Sequence, residues 1–241
     1  MNIIKSIENT IKVLTNNVNI SLQNDNTIRA FILLNKIRNH LAIIPKTDIL
    51  WNYYYINLAI YYNNIGKFNE SINFCKKAKE INSKVNSQFL KAKICSCEGT
   101  YYLNIGDYKS AKKCILKSIN LYKKIEICEE LANTYITYGN ILLRSNSLKE
   151  AIEFYSKAFY ISKQKENKII EGKVLIKLGY VFKNVRRLYL AVDHFREAER
   201  VFQELNYKNG ILKSLYERAN TYISLRMTKK ANILIKKIKN M

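Results

Sequence analysis

The chain has 241 residues, 48% hydrophobic and 25% charged, with 41 Lys and Arg against 19 Asp and Glu for a formal charge of +22. That much apolar material excludes a disordered tail, and one proline with seven glycines leaves too little turn chemistry for an all-β protein. The charged fraction is ordinary, so the imbalance comes from scarce acids, and a basic, mostly helical protein is expected.

The N-terminal stretch MNIIKSIENTIKVLTNN scatters Lys5, Glu8 and Lys12 among apolar residues. It lacks the unbroken core and small-residue cleavage site of a signal peptide. Residues 1–46 read as one helix pair, about Asn2 to Leu22 and Asn26 to Ile43, serving as a degenerate repeat or a cap. Pro45, the only proline, separates this pair from the rest of the chain. The richest apolar run, Ile49 to Tyr62, is interrupted by Asn52 and Asn57 and falls short of the roughly 20 residues of a membrane span. A soluble, cytoplasmic protein is expected.

Residues 47–241 repeat with a period of forty. One small residue marks each copy, at Ala59, Gly99, Gly139, Gly179 and Ala219, and a second series runs Ser71, Ala111, Ala151, Ala191 and Ala231. A third holds Ala78, Ser118, Ala158 and Ala198. Glycine inside a helix costs about 1 kcal/mol relative to alanine, so three glycines at one repeat position imply helices that approach too closely for a larger side chain. Tyr55, Leu58, Ala59 and Tyr62 form one apolar stripe and Phe68, Ser71, Cys75 and Ala78 a second, both at helical spacing. Asn64-Ile65-Gly66-Lys67 and Asn104-Ile105-Gly106-Asp107 supply the turn, with glycine ending the first helix.

The five cysteines, Cys75, Cys95, Cys97, Cys114 and Cys128, are an odd number without a C-x-x-C pair and read as buried free thiols of a reducing compartment. Cys95 and Cys97 point about 200° apart on a helix, which excludes a shared metal. No cofactor is expected. His40 and His194 have no ligand constellation, no nucleotide or nucleophile motif occurs, and no catalytic activity is expected.

Small at the eighth position of the repeat, aromatic at the eleventh, and alanine at the twentieth and twenty-seventh resembles the tetratricopeptide repeat (TPR) from about Thr47 to the C-terminus. The period is forty rather than thirty-four, and Glu98 and Arg218 stand where the family carries an apolar residue. The longer period resembles the solenoids of Gram-positive peptide-pheromone receptors (Rap- and PlcR-like), without their DNA-binding helix-turn-helix. The resemblance implies an all-α, right-handed superhelical solenoid of about six antiparallel helix pairs, with the first helix of each pair lining a concave groove. Related phosphatases use a glutamine of an N-terminal bundle. Here only Gln23 is offered, in an expected loop, and that activity is not supported.

Repeat positions 2, 5, 9, 12 and 13 are expected to face the groove. They supply the candidate ligand contacts Asn64, Lys93, Asn104, Asn133, Asn140, Arg144, Lys173, Tyr180, Lys183, Asn184, Lys213 and Asn220. An asparagine amide offers a donor and an acceptor that match the backbone of an extended peptide, and lysines beside it favour acidic side chains or a terminal carboxylate. Asparagine makes up about one residue in eight, so a solvated face is the competing account of any single position. The expected function is a regulator or quorum-sensing receptor that binds a peptide or protein segment, one that is acidic where the groove lysines act. A homo-oligomer is compatible with this reading. The alternative is a basic scaffold that docks on nucleic acid or an acidic protein through its convex face.

Overall fold

The apolar stripes of the sequence fold as helices throughout. The computed structural model describes residues 2–24, 26–126 and 128–241, without the side chains of residues 2–4, 23 and 128. Among the described residues there are twelve helices and no strand: α1 (Asn2–Gln23), α2 (Thr27–Leu41), α3 (Ile49–Asn64), α4 (Phe68–Val85), α5 (Gln88–Asn104), α6 (Tyr108–Lys124), α7 (Cys128–Arg144), α8 (Leu148–Gln164), α9 (Lys168–Asn184), α10 (Leu188–Glu204), α11 (Lys208–Ser224) and α12 (Thr228–Lys239). They form two compact units, Met1–Glu126 and Ile127–Met241. Each is built from antiparallel pairs, α1 with α2 through α5 with α6, and α7 with α8 through α11 with α12. Gln23 closes α1 rather than standing in a loop, and its side chain lies outside the described residues. None of the described helices is long and apolar enough to cross a membrane.

Every pair in the clear repeats turns by the same device. The second residue after the first helix is left-handed at Gly66 (φ 77°), Gly106 (84°), Asn146 (60°), Arg186 (60°) and Arg226 (58°). Twenty residues further on, Asn86, Glu126, Glu166 and Asn206 adopt the same conformation between one pair and the next. At most of these ends the following N–H reaches back to a carbonyl of the last turn: Lys67 to Tyr62 at 2.9 Å, Ser147 to Leu142 at 2.8 Å, Arg187 to Phe182 at 2.9 Å. These bonds satisfy carbonyls that a helix end otherwise leaves orphaned. The starts are capped by side chains of Asn26, Asp48, Ser87, Asp107 and Asn167, each accepting an N–H of the first turn.

The glycines at the eighth position do what their cost implies. A Cβ on Gly99 would lie 2.5 Å from the Ile115 side chain, one on Gly139 2.5 Å from Tyr155, and one on Gly179 2.5 Å from Phe195. In each case the intruder sits at the twenty-fourth position, on the second helix of the same pair. Where that position holds the smaller Cys75, the eighth holds Ala59. The cores follow the repeat. In the first unit Leu34, Ile37, Leu41 and Leu50 bury against one another, next to Ile56, Ala59, Leu90 and Ile94. In the second, Leu175, Phe195, Phe202 and Leu215 form the centre. Each such side chain contributes about 1.5–3 kcal/mol on full burial.

Both departures from the apolar seventh position are neutralised by the preceding second helix. Glu98 lies 2.8 Å from Lys79 Nζ, and Arg218 lies 2.6 Å from Glu199. Lys79 and Glu199 both occupy the twenty-eighth position, where the apolar counterpart is Phe159 with Leu178 at the seventh. Glu199 also holds Lys237 at 2.8 Å. The thiols separate as their spacing requires. Buried Cys97 hydrogen-bonds with Cys75, which raises the Cys75 pKa together with burial. Cys95 looks the other way, beside Cys114, and burial pushes its pKa up to about 11. The side chain of Cys128 lies outside the described residues.

Candidate ligand-binding groove

First helices pack side by side within each unit: α3 against α5, α7 against α9, and α9 against α11. Among the described residues no two second helices of a unit approach one another in this way. First helices therefore form the closer-spaced layer of each unit, which is the inner side of its curvature.

The open stripe on these helices runs through positions 2, 6, 9 and 13, spaced 4-3-4 as one helical face requires. In the second unit it comprises Asn133, Thr137, Asn140 and Arg144 on α7, then Lys173, Lys177, Tyr180 and Asn184 on α9. On α11 it comprises Lys213, Glu217, Asn220 and Ser224. All twelve are exposed or half-buried. Position 5, expected in the groove, instead packs into the core at Ile56, Ile136 and Ile176, and only Tyr216 is exposed there. Position 6 takes its place. Thr137, Lys177 and Glu217 thus join the open stripe, at a position not expected there from the sequence.

Three of the candidates are tied into local networks. Tyr155, buried on α8, donates its hydroxyl to Asn140 Oδ1 at 2.9 Å, so what Asn140 offers a ligand is its amide N–H groups. Tyr180 donates its hydroxyl to Glu217 Oε1 at 3.0 Å, and Lys183 Nζ lies 3.4 Å from Glu217 Oε2. Burial, then the Glu217 carboxylate, pushes the Tyr180 pKa well above the usual phenol range. The Tyr180 ring also packs edge-on to Phe195 at 5.7 Å, and Lys177 Nζ lies 5.8 Å from its centre. Lys183, at position 12, is therefore not a free cation; its charge is shared with an acid of the next first helix. Lys213 and Asn184 are exposed, and Lys173 and Asn220 half-buried.

In the first unit the stripe is more closed. Asn64 on α3 is exposed, and Lys93 and Asn104 on α5 are half-buried, but Asn57 and Cys97 at position 6 are buried. Lys93 Nζ lies 4.9 Å from the centre of the Phe89 ring. Asn63, at position 12, is a strut rather than a contact: its amide donates to Cys97 O on α5 at 3.3 Å. His194 stacks on Phe182, with ring centres 5.0 Å apart and planes 5° from parallel, a packing role. Among the described residues no group of His, Cys, Asp and Glu is placed to hold a metal.

Comparisons with known proteins agree with this fold. No curated protein sequence matches the chain. Its fold is similar to that of a signal transduction ATPase (STAND) protein with a tetratricopeptide repeat sensor from Pyrococcus horikoshii, at 19% identity and a TM-score of 0.69 over 95% of this chain. The chain spans only 35% of that protein's length. Aspartyl phosphate phosphatase F from Bacillus subtilis is similar at 15% identity and a TM-score of 0.71, over 95% of this chain and 73% of its own. The Rap conjugation gene regulator of plasmid pLS20, solved with the Phr* peptide, is similar at 15% identity and a TM-score of 0.68, over 94% of this chain and 73% of its own. Residues 53–85, 98–125 and 132–165 match the tetratricopeptide repeat family, so the chain carries tetratricopeptide repeats in a fold shared with Rap proteins and other TPR solenoids.

Proposed function

We propose that the first-helix face of the Ile127–Met241 unit binds an extended peptide or protein segment, and that the chain acts as a cytoplasmic regulator or signalling-peptide receptor without catalysis of its own. The observation that carries this reading is the open 2-6-9-13 stripe on α7, α9 and α11, rich in amides and lysines, beside a position 5 that is buried on two of the three helices. Asn140, Asn184 and Asn220 offer backbone-like hydrogen bonds, each contributing about 0.5–1.5 kcal/mol net, so useful affinity needs several together. Lys173 and Lys213 at position 2 favour an acidic side chain or a terminal carboxylate, and Asn133 and Arg144 extend the face along α7. Asn64, Lys93 and Asn104 are the corresponding candidates on the first unit. A Rap regulator of the same fold solved with a peptide supports the assignment of ligand class.

The test is purification from the native host, mass spectrometry of co-purifying peptides, and calorimetry with the peptide recovered. Changing Asn140, Asn184 and Asn220 together to alanine is expected to abolish binding. Affinity that survives those changes but collapses with rising salt would overturn the groove reading in favour of charge alone.

A further inference from the structure

The second helices carry a feature that the groove does not use. α6 holds six lysines (109, 112, 113, 117, 123 and 124) and no acid in seventeen residues. The other second helices of α3–α10 mix signs: Glu70 and Glu80 on α4, Glu150 and Glu153 on α8, Asp193 and Glu197 on α10. None of the α6 lysines is in an ion pair among the described residues. α12 is also acid-free, but its Lys237 is held by Glu199 and its Lys230 lies 5.8 Å from the centre of the Tyr222 ring.

Lys109, Lys113 and Lys117 recur at about 6 Å along the helix axis, and Lys124 continues the same face two turns on. All four are exposed. A shallow, open depression lies along this face, lined by Lys113, Leu116, Lys117, Asn120, Leu121 and Lys124, all of α6. Its cations thus frame an apolar floor at Leu116 and Leu121. We propose that this face of α6 binds the phosphodiester backbone of a single-stranded nucleic acid, without regard to sequence.

Two considerations select that partner among polyanions. A bilayer would require an apolar helix face to insert, but the apolar face of α6 (Ala111, Ile115, Ile119 and Tyr122) is already buried in the protein. An acidic protein offers carboxylates without a fixed interval, whereas a nucleic-acid strand presents one phosphate per nucleotide in a regular row, with sugars to cover the leucines. Lysines that neutralise phosphates release counterions, so each contact makes affinity fall more steeply with salt.

The test is fluorescence anisotropy with a labelled single-stranded RNA of about 20 nucleotides. K113E/K117E/K124E is compared with K84E/K149E/K165E, three exposed lysines of other segments with the same charge change. At about 0.1 M salt the α6 variant is expected to bind at least about tenfold more weakly and to lose about 2 from the slope of log affinity against log salt. The control is expected to lose less than about threefold. The neutral variant K113Q/K117Q/K124Q, which keeps good helix formers, carries the same comparison should the glutamates disturb folding. Equal losses in both charge-reversal variants would assign the binding to the overall field and overturn the proposal. So would no binding of the RNA by the wild type, or α6-dependent binding only to phosphatidylserine vesicles or polyglutamate.

Discussion

Phe195 occupies the space that a side chain on Gly179 would need, since a Cβ there would lie 2.5 Å from its ring. The same pairing joins Gly139 to Tyr155 and Gly99 to Ile115, while Ala59 stands at the position opposite Cys75. Size is therefore exchanged between the eighth and twenty-fourth positions of the first four clear repeats, whereas the last pairs Ala219 with Ile235. Gly179→Ala is expected to destabilise the protein by about 1–3 kcal/mol through overpacking, despite alanine's better helix propensity. In a Phe195→Cys background the same change is expected to be neutral or stabilising, because the ring is gone and only the propensity gain remains. Urea unfolding of the four proteins of this cycle reads the reversal, and a glycine substitution with the same cost in both backgrounds would refute the pairing.

A second exchange, of charge, runs between neighbouring repeats. Glu199 is 5% exposed in its side chain and Arg218 12%, so neither ion is well hydrated. Removing one partner leaves the other buried and uncompensated, and Glu199→Ala is expected to cost about 3–5 kcal/mol. Replacing both, as Glu199→Phe with Arg218→Leu, reproduces the apolar residues of Phe159 and Leu178 and is expected to come within about 1 kcal/mol of wild type or above it. Thermal and urea melts distinguish the two variants, and a double variant as damaged as the single would show that the pair is needed for more than charge balance.

These two exchanges also mark how far the sequence could be read. The forty-residue period, the helix pairs and the close approach at glycine follow from spacing and from the cost of glycine, and all appear in the structure. The open stripe differs from expectation in that position 5 is buried on α7 and α9 while position 6 is open. Positions 5 and 6 differ by only about 100° around a helix, and which of them faces outward depends on how α7, α9 and α11 pack, a relation among repeats that no single repeat encodes. Glu217, at position 6, carries no signal in the sequence for that reason, although it ties Tyr180 to Lys183. Glu98 and Arg218 looked like irregularities because each partner sits in the preceding repeat.

The left-handed turns suggest a simple stabilisation. Arg186 holds φ 60° at the position occupied elsewhere by Gly66 and Gly106, and its side chain is exposed. A non-glycine residue in this region costs roughly 1–2 kcal/mol, partly offset by the greater freedom glycine has when unfolded. Arg186→Gly is expected to raise stability by about 0.5–1 kcal/mol, while Arg186→Ala keeps the Cβ and gains nothing. Equal stability of the glycine and alanine variants in urea unfolding would show that the turn carries no strain.

His194 makes stability depend on acid. Burial lowers its pKa below the ordinary value, against the smaller opposing effect of Glu197 and Asp193, and its Nδ1 is buried without a partner. The folded state therefore favours the neutral ring. Between the folded value and 6.5 the unfolded chain binds more protons, so this group's contribution is present above 6.5 and is lost as pH falls through that window. Wild type is expected to lose more stability between about pH 7.5 and 5.5 than His194→Phe, which keeps the stack on Phe182 without a titrating nitrogen. Parallel pH profiles of the urea midpoints would remove His194 as the cause.

The remaining prediction concerns the groove. Glu217 places a negative charge between Tyr180 and Lys183, on the face proposed to hold the ligand, and partly neutralises the lysine there. Glu217→Gln keeps the shape and an oxygen that can accept the Tyr180 hydroxyl, removes the charge, and leaves Lys183 to a ligand carboxylate. Both Glu217 and Lys183 are partly screened by water, so the gain is modest. Affinity for an acidic peptide recovered from the host is expected to rise about three- to tenfold at low salt, with the gain fading at about 0.5 M as the Debye length shrinks. Calorimetry of wild type and variant at both salt concentrations measures this. Weaker binding by the variant would mean that Glu217 itself contacts the ligand, through a basic group.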